Sequence, residues 1–186
     1  QACAWELPEN FSRHSFNLDG LVGEHPFWGR FWEGRLTNKE QRCWLREARH
    51  KVCAILTRYG ETPETYSLIH ADLHPGNVIV NGGQLHIIDF DDSGFGWHQY
   101  DFSNALFEYR EHRDLSVMQK ALFKGYRQHR CLTDQAISYV PLFLVIRALA
   151  CIGWYSDRPE HDERSNISGL IEYSSNALEG ALAMCS

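Results

Sequence analysis

The sequence predicts an α+β fold: a mostly helical lobe carrying one small β-hairpin. Three observations predict it. Two short apolar runs, Val78 to Val80 and Leu85 to Ile88, flank Asn81-Gly82-Gly83, and Asn-Gly tolerates the positive backbone angles of a tight hairpin turn. Residues 37–59 repeat apolar side chains at helical spacing and then meet Gly60, the residue type that most readily closes a helix. Residues 101–186 read as successive helices separated by polar breaks. A chain of 186 residues suits one domain or one large lobe with a substantial core, and residues 1–186 are read as such.

Taken in order, residues 1–36 are an aromatic-rich cover of loops and short turns, with Trp5, Phe11, Phe16, Phe27, Trp28, Phe31 and Trp32. Its expected role is structural; the alternative is a wall of a substrate pocket. A helix is expected over residues 37–60, with Thr37 and Glu40 as a capping box. Trp44, Ala48, Val52, Ile55, Leu56 and Tyr59 form its inner face. Arg42, Arg46 and Arg49 form a stripe roughly 110° away, read as a solvated face. Residues 66–100 hold the hairpin and the polar motifs, and Ser93 to His98 is read as a loop.

A helical subdomain fills 101–186. One helix starts near Tyr100 and ends near His112. The next runs from Leu115 to His129 with Asp114 as N-cap and Val117, Ala121, Leu122 and Tyr126 inward. Thr133 or Asp134 caps the following one. Ala136 to Tyr155 approaches transmembrane length, but Arg147 is costly at bilayer depth and Pro141 would kink it early. A buried central helix is the better reading, and Arg147 then requires a carboxylate or backbone partner. A polar loop, Asp157 to Asn166, precedes a last helix from Ile167 to Met184.

A net charge of −6 argues against a general nucleic-acid binder and is compatible with a cationic small substrate. Cysteines at 3, 43, 53, 131, 151 and 185 form no Cys-x-x-Cys pair. They read as reduced thiols, and a cytoplasmic location is expected.

The chemistry concentrates between Ile69 and Asp92. Asp72 precedes the first hairpin strand, Asn77 follows five residues later, and Asp89 follows the second strand. A hairpin brings its outer ends together, so the three converge. Phosphoryl transfer needs such a set: a carboxylate to orient and deprotonate the attacking hydroxyl, and oxygen ligands for magnesium against the phosphates. The kinase order of Asp, four residues, Asn, then a post-strand Asp matches His70-x-Asp72-x4-Asn77 and Asp89-Phe90-Asp91.

At these residues the chain resembles the aminoglycoside phosphotransferase and choline kinase-like superfamily, relatives of the protein kinases. His70-Ala71-Asp72-Leu73-His74-Pro75-Gly76-Asn77 followed by Ile87-Ile88-Asp89-Phe90-Asp91-Asp92 is similar to the phosphotransferase enzyme family, including its type II homoserine kinase-like branch. The resemblance implies a protein kinase-like C-terminal lobe using ATP and magnesium, with Asp72 as base and Asn77 and Asp89 as magnesium ligands. Asp91 is a further candidate ligand. Asp101 resembles the buried Asp that braces the catalytic loop through backbone N–H groups, and His70 and His74 are read as structural supports of that loop.

No glycine-rich phosphate loop and no Val-Ala-Ile-Lys-like strand precedes Asp72. The chain therefore reads as the C-lobe of a longer kinase whose N-terminal lobe is a missing partner. The implied acceptor is a small amino-alcohol, an aminoglycoside or a protein Ser/Thr. Asp91, Asp92, Glu108 and Glu111, with Trp97 and Trp154, favour a cationic amine. Two rival readings stand beside this one. The first is a catalytically incomplete kinase-like scaffold, suggested by the absent N-lobe. The second is a metal-dependent hydrolase with a zinc or manganese cluster of His70, Asp72 and His74. Pro75-Gly76 forces a loop there, and the hydrolase reading leaves Asn77 and Asp89 without a role.

Overall fold

The computed structural model of the protein describes residues 8–158, 160 and 164–185. Its element order is β1 (Ser15–Phe16), α1 (Leu18–Val22), a 3-10 turn (Phe31–Glu33), α2 (Lys39–Tyr59), β2 (Tyr66–Ile69), a 3-10 turn (Pro75–Asn77), β3 (Val78–Asn81), β4 (Gln84–Ile87), β5 (Gly94–Trp97), α3 (His98–Phe107), α4 (Leu115–Tyr126), α5 (Asp134–Ser138), α6 (Val140–Asp157) and α7 (Arg164–Met184). The architecture is the expected mostly helical α+β lobe.

The hairpin forms one residue tighter than the Asn-Gly signal suggests. Asn81 pairs with Gln84 inside the ladder, and the two turn residues are Gly82 and Gly83, with φ of 58° and 80°. Both central positions of this two-residue turn need positive φ, which Gly-Gly meets without a Cβ penalty.

The predicted loop 93–98 is instead β5, the centre of a three-stranded sheet. It runs antiparallel to β2 and parallel to β1. Two glycines gave it the look of a loop, yet they are there for close approach. A Cβ on Gly94 would sit 2.6 Å from the His14 carbonyl oxygen, and one on Gly96 would sit 2.5 Å from Ile69 Cδ1. Within the cover, residues 8–36, a short strand β1 and a short helix α1 form beside the expected loops and turns; Trp5 lies outside the described residues.

Helix α2 starts one residue later than its expected cap. Asn38 accepts from Gln41 N and the Gln41 side chain returns the bond to Asn38 N, while Thr37 Oγ1 donates to Gly34 O. The Thr37/Glu40 and Asn38/Gln41 pairs have the same spacing, and Asn38 takes the cap while the Thr37 hydroxyl is spent on Gly34 O. Gly60, at φ 70°, ends the helix and donates its N–H to Leu56 O. Leu45 joins Ala48, Val52 and Leu56 in the core. Arg49 is not solvated: its Nε donates to Val22 O at 2.6 Å, and its guanidinium lies 4.0 Å over Trp32. It ties the cover to α2.

Helix α6 is the core of the lobe. Leu142, Phe143, Ile146, Leu149 and Ile152 are fully buried, and the helix packs most extensively against α7 and α3. Each such side chain contributes roughly 1.5–3 kcal/mol by leaving water. The apolar stretch Asp134–Asp157 is thus a core helix, interrupted at Tyr139 where Pro141 sits in the first turn of α6. Helix α4 turns Leu122 and Tyr126 inward as expected, but not Val117 and Ala121. Leu115, Met118, Leu122, Phe123 and Tyr126 pack on Phe102 and Leu106, while Val117 is exposed and so is Ala121. Asp114 begins α4 without a side-chain cap bond, whereas Thr133 caps α5 by accepting from Ala136 N. Helix α7 starts at Arg164, earlier than expected, so the loop before it is shorter; part of that loop lies outside the described residues. Among the described cysteines all are free.

His98 opens α3 inside the core, its Nε2 2.8 Å from Ser67 Oγ. Burial, helped by the Arg130 charge, lowers its pKa from 6.5 to about 4. The fold therefore favours neutral His98. This contribution is complete above pH 6.5 and is lost as the pH falls from there toward 4, at most about 3 kcal/mol. Denaturant midpoints should drop between about pH 7 and pH 5, and should drop less in His98→Gln.

Candidate active site

The loop between β2 and β3 is held by backbone capture. Asp101, on the first turn of α3, accepts from His70 N at 2.9 Å and Ala71 N at 2.7 Å. Asn104, one turn further and buried, donates to Ala71 O at 2.7 Å. These bonds hold Ala71 at φ 68°, a left-handed conformation that costs a non-glycine residue roughly 1–3 kcal/mol. Asp101 begins no helix as a cap; its carboxylate is spent on the loop. Burial pushes that carboxyl up, against the two N–H bonds that pull it down.

The bend at Ala71 presents Asp72 to a cavity. Asp72 Oδ1 accepts from Arg147 Nη2 at 2.8 Å. Asn77, buried, donates from Nδ2 to Asp72 O at 3.0 Å and lies 3.5 Å from Oδ2. His74 Nδ1 accepts from Gly76 N, and its Nε2 is 3.5 Å from Asp72 Oδ2. His70 is buried with Nε2 2.9 Å from Ile88 O and Nδ1 accepting from Asp72 N at 3.4 Å. Both His70 ring nitrogens are thereby engaged with backbone. Among the described residues, no three His, Cys, Asp or Glu side chains form a metal-binding group, so the hydrolase cluster does not assemble.

The hairpin delivers the second acidic element. Ile88 N donates to Asn77 O at 3.0 Å, which places Asp89 beside the Asn77 loop. Asp89 is exposed and stands at φ 62°, a second left-handed residue at the site. Its neighbour Asp91 is exposed and gives only its backbone oxygen to Arg13. Asp92, rather than the candidate ligand Asp91, lines the cavity with Asp72. Burial raises its pKa, and the charges of Asp72 and Asp89 raise it further, while His14 opposes them.

The cavity holds about 400 Å³, with Trp28, Asp72, Asp92, Arg147, Trp154 and Arg158 among its walls. Trp28 thus serves as pocket wall as well as cover, and its Nε1 donates to Tyr100 Oη at 3.2 Å. Tyr100 Oη in turn lies against Arg147. The partner that Arg147 requires is Asp72 itself, 75 residues away in sequence. Trp97, a sequence candidate for binding a cation, is 1% exposed and donates to Gly60 O, so it faces the core. The indole of Trp154 already carries the Arg158 guanidinium at 4.3 Å. Asn104 and Arg147 are the site residues that sequence reasoning did not assign.

Oxygen donors suited to a hard cation are present. Asn77 commits Nδ2 as donor, which leaves Oδ1 to ligate, and Asp89 offers an exposed carboxylate beside it. The repulsion among Asp72, Asp89 and Asp92 is of the kind a divalent cation relieves.

A family model described as "Phosphotransferase enzyme family" matches residues 9–133. The chain is 31% identical over 107 residues to an amicoumacin kinase of Bacillus subtilis (strain 168), covering 53% of this chain and 32% of that protein. It is 32% identical over 120 residues to a homoserine kinase of Chelativorans sp. (strain BNC1), covering 62% of this chain and 37% of that protein. Among solved structures, a microcompartment-associated aminopropanol kinase superposes with a TM-score of 0.80 at 30% identity, covering 96% of this chain and 56% of that one. An amicoumacin kinase solved with AMP-PNP and calcium shares the fold at a TM-score of 0.71 and 19% identity, covering 96% of this chain and 54% of that one. The chain thus spans roughly a third of the curated relatives and a little over half of the solved ones.

Proposed function

The chain belongs to the phosphotransferase enzyme family, and from that premise we propose that it is the C-terminal lobe of a cytoplasmic kinase that moves the γ-phosphate of ATP to the hydroxyl of a small amine-bearing acceptor. The observation that carries this reading is the Asp72 carboxylate. One oxygen is pinned by Arg147 at 2.8 Å, while its backbone is clamped by Asn77 and its side chain faces the cavity.

In this reading the acceptor hydroxyl donates to Asp72 Oδ2, since Oδ1 is occupied. Asp72 orients the oxygen for in-line attack and takes its proton as the new O–P bond forms and the bond from the γ-phosphorus to the β–γ bridging oxygen breaks, releasing ADP. Asn77 and Asp89 would hold magnesium, which when bound with ATP supplies charge neutralisation at the phosphate oxygens. Asp92 and the ring of Trp28 favour an ammonium on the acceptor. The relatives named for amicoumacin, homoserine and aminopropanol support a small-molecule acceptor over a protein Ser/Thr.

The hairpin supports a partner lobe. Ile79, Val80, Leu85, Ile87, Ile88 and Phe90 are 40–70% exposed, and an uncovered two-stranded hairpin is marginal in water. We read this surface as the seat of the N-terminal lobe, with ATP between the lobes.

The test is ADP release from Mg-ATP by the full-length protein against a panel of hydroxyl-bearing amines, wild type beside Arg147→Met. Release should depend on acceptor. The variant should lose about 100-fold in kcat, because an unpinned Asp72 no longer holds an attack geometry. Acceptor-independent release, or an unaffected variant, would contradict the reading.

A further inference from the structure

Asp72 Oδ2, the oxygen assigned to the acceptor's proton, faces a ring on its own loop. His74 stands two residues on and lines the same cavity. Its Nδ1 accepts from Gly76 N at 3.1 Å, so the ring proton is on Nε2. Nε2 lies 3.5 Å from Asp72 Oδ2.

The local sequence seats the ring there. Pro75 has no N–H, so Gly76 offers the first donor of the 3-10 turn. Gly76 also leaves room for the ring: a Cβ on it would sit 2.6 Å from His74 Cε1 and 2.9 Å from Nδ1. Bracing the loop does not use Nε2. His74 N donates to Asp72 O at 2.8 Å, and His74 O accepts from Asn77 N at 2.9 Å. The brace made by the ring, the bond to Gly76 N, uses Nδ1.

Nε2 is therefore a donor left over. At 3.5 Å it is too far from Oδ2 for a strong N–H···O bond. Both side chains are partly open, His74 at 34% and Asp72 at 23% exposure. Asp72 Oδ1 is taken by Arg147. A donor and an acceptor thus stand side by side at the cavity wall, and an oxygen about 2.8 Å from each would meet both. A hydroxyl fits such a pair, because its oxygen donates and accepts at once. An ammonium only donates, and a carboxylate only accepts.

We propose that His74 is a second catalytic contact on the acceptor hydroxyl: Nε2–H donates to the hydroxyl oxygen while the hydroxyl donates to Asp72 Oδ2. With its carbon, its hydrogen and one lone pair fixed, the tetrahedral oxygen has a single lone pair left, and that pair attacks phosphorus. As the O–P bond forms, the proton passes to Oδ2 and the bond to the β–γ bridging oxygen breaks, releasing ADP; His74 keeps its proton throughout. This role rests on Asp72 acting as the base.

The test is the rank order of two variants of the full-length protein. His74→Asn keeps an acceptor near Nδ1 for Gly76 N and removes the cavity donor. His74→Gln keeps a donor near Nε2 and gives up the Gly76 bond. His74→Asn should lose roughly 10- to 100-fold in kcat, with the KM for ATP and the melting temperature little changed. His74→Gln should melt lower yet stay within about fivefold of wild type in kcat. A ring that only braces the loop gives the reverse order, with His74→Asn near wild type and His74→Gln impaired. That order, or equal kcat in the two variants, would overturn the proposal while leaving Asp72 as base. A wild type that transfers phosphate to no hydroxyl would overturn the kinase reading and this role with it.

Discussion

Asp72→Asn should lower acceptor-dependent phosphoryl transfer by roughly 1,000-fold, the scale of a positioned general base. The amide keeps the shape of the side chain and can still accept from Arg147 Nη2, now 2.8 Å from Oδ1. It cannot take the acceptor's proton. The loss should therefore fall on kcat, with ATP affinity changed only a few-fold and cooperative unfolding retained. Steady-state kinetics beside a thermal melt checks this. A variant that keeps turnover within about tenfold would remove Asp72 from the role of base.

The largest structural effect is expected at Asp101→Ala. That substitution strands His70 N and Ala71 N, which now donate to the carboxylate at 2.9 and 2.7 Å. Hydrogen bonds to a charged group contribute roughly 1.5–3 kcal/mol each. The stranded donors sit beside Ala71 at φ 68°, whose strained backbone loses part of its clamp. A destabilisation of about 3–5 kcal/mol follows, lowering the melting temperature by roughly 10 °C in a chain of this size. Turnover should fall with it, because the same bend presents Asp72. Asp101→Asn keeps one acceptor oxygen and should lie between. A melting temperature within about 2 °C of wild type would show that the loop does not lean on Asp101.

The parts of this lobe that were legible in sequence are those whose causes are local. Gly60 after a periodic stretch announces the end of α2, Thr133 announces α5, and the Asp72-x4-Asn77 spacing survives because both residues share one loop. The hairpin was legible, although its turn is the two residues Gly82-Gly83 and Asn81 joins the ladder. Strand β5 was hidden. Its glycines serve contacts with His14 and Ile69, 80 and 27 residues back from Gly94 and Gly96, and no local pattern reports such a contact. The inner face of α4 was legible at Leu122 and Tyr126 but not at its edge: Val117 and Ala121 sit at a plausible helical period, and only the position of Phe102 and Leu106 selects Leu115 and Met118 in their place. In the same way, a lone Arg in an apolar helix signals that Arg147 needs a partner, but only the fold identifies that partner as Asp72. Asn104 gave no signal: an Asn inside a helix is ordinary, and its bond to Ala71 O spans 33 residues.

The central claim is that Asp72 directs a phosphoryl group onto a hydroxyl. Its most direct test is to follow the γ-phosphate of labelled ATP in the full-length protein, wild type and Asp72→Asn, with a responsive acceptor. The account predicts a phosphorylated acceptor formed one-for-one with ADP by the wild type and nearly none by the variant. Label recovered as inorganic phosphate, or a phosphorylated acceptor formed equally by both proteins, would contradict it.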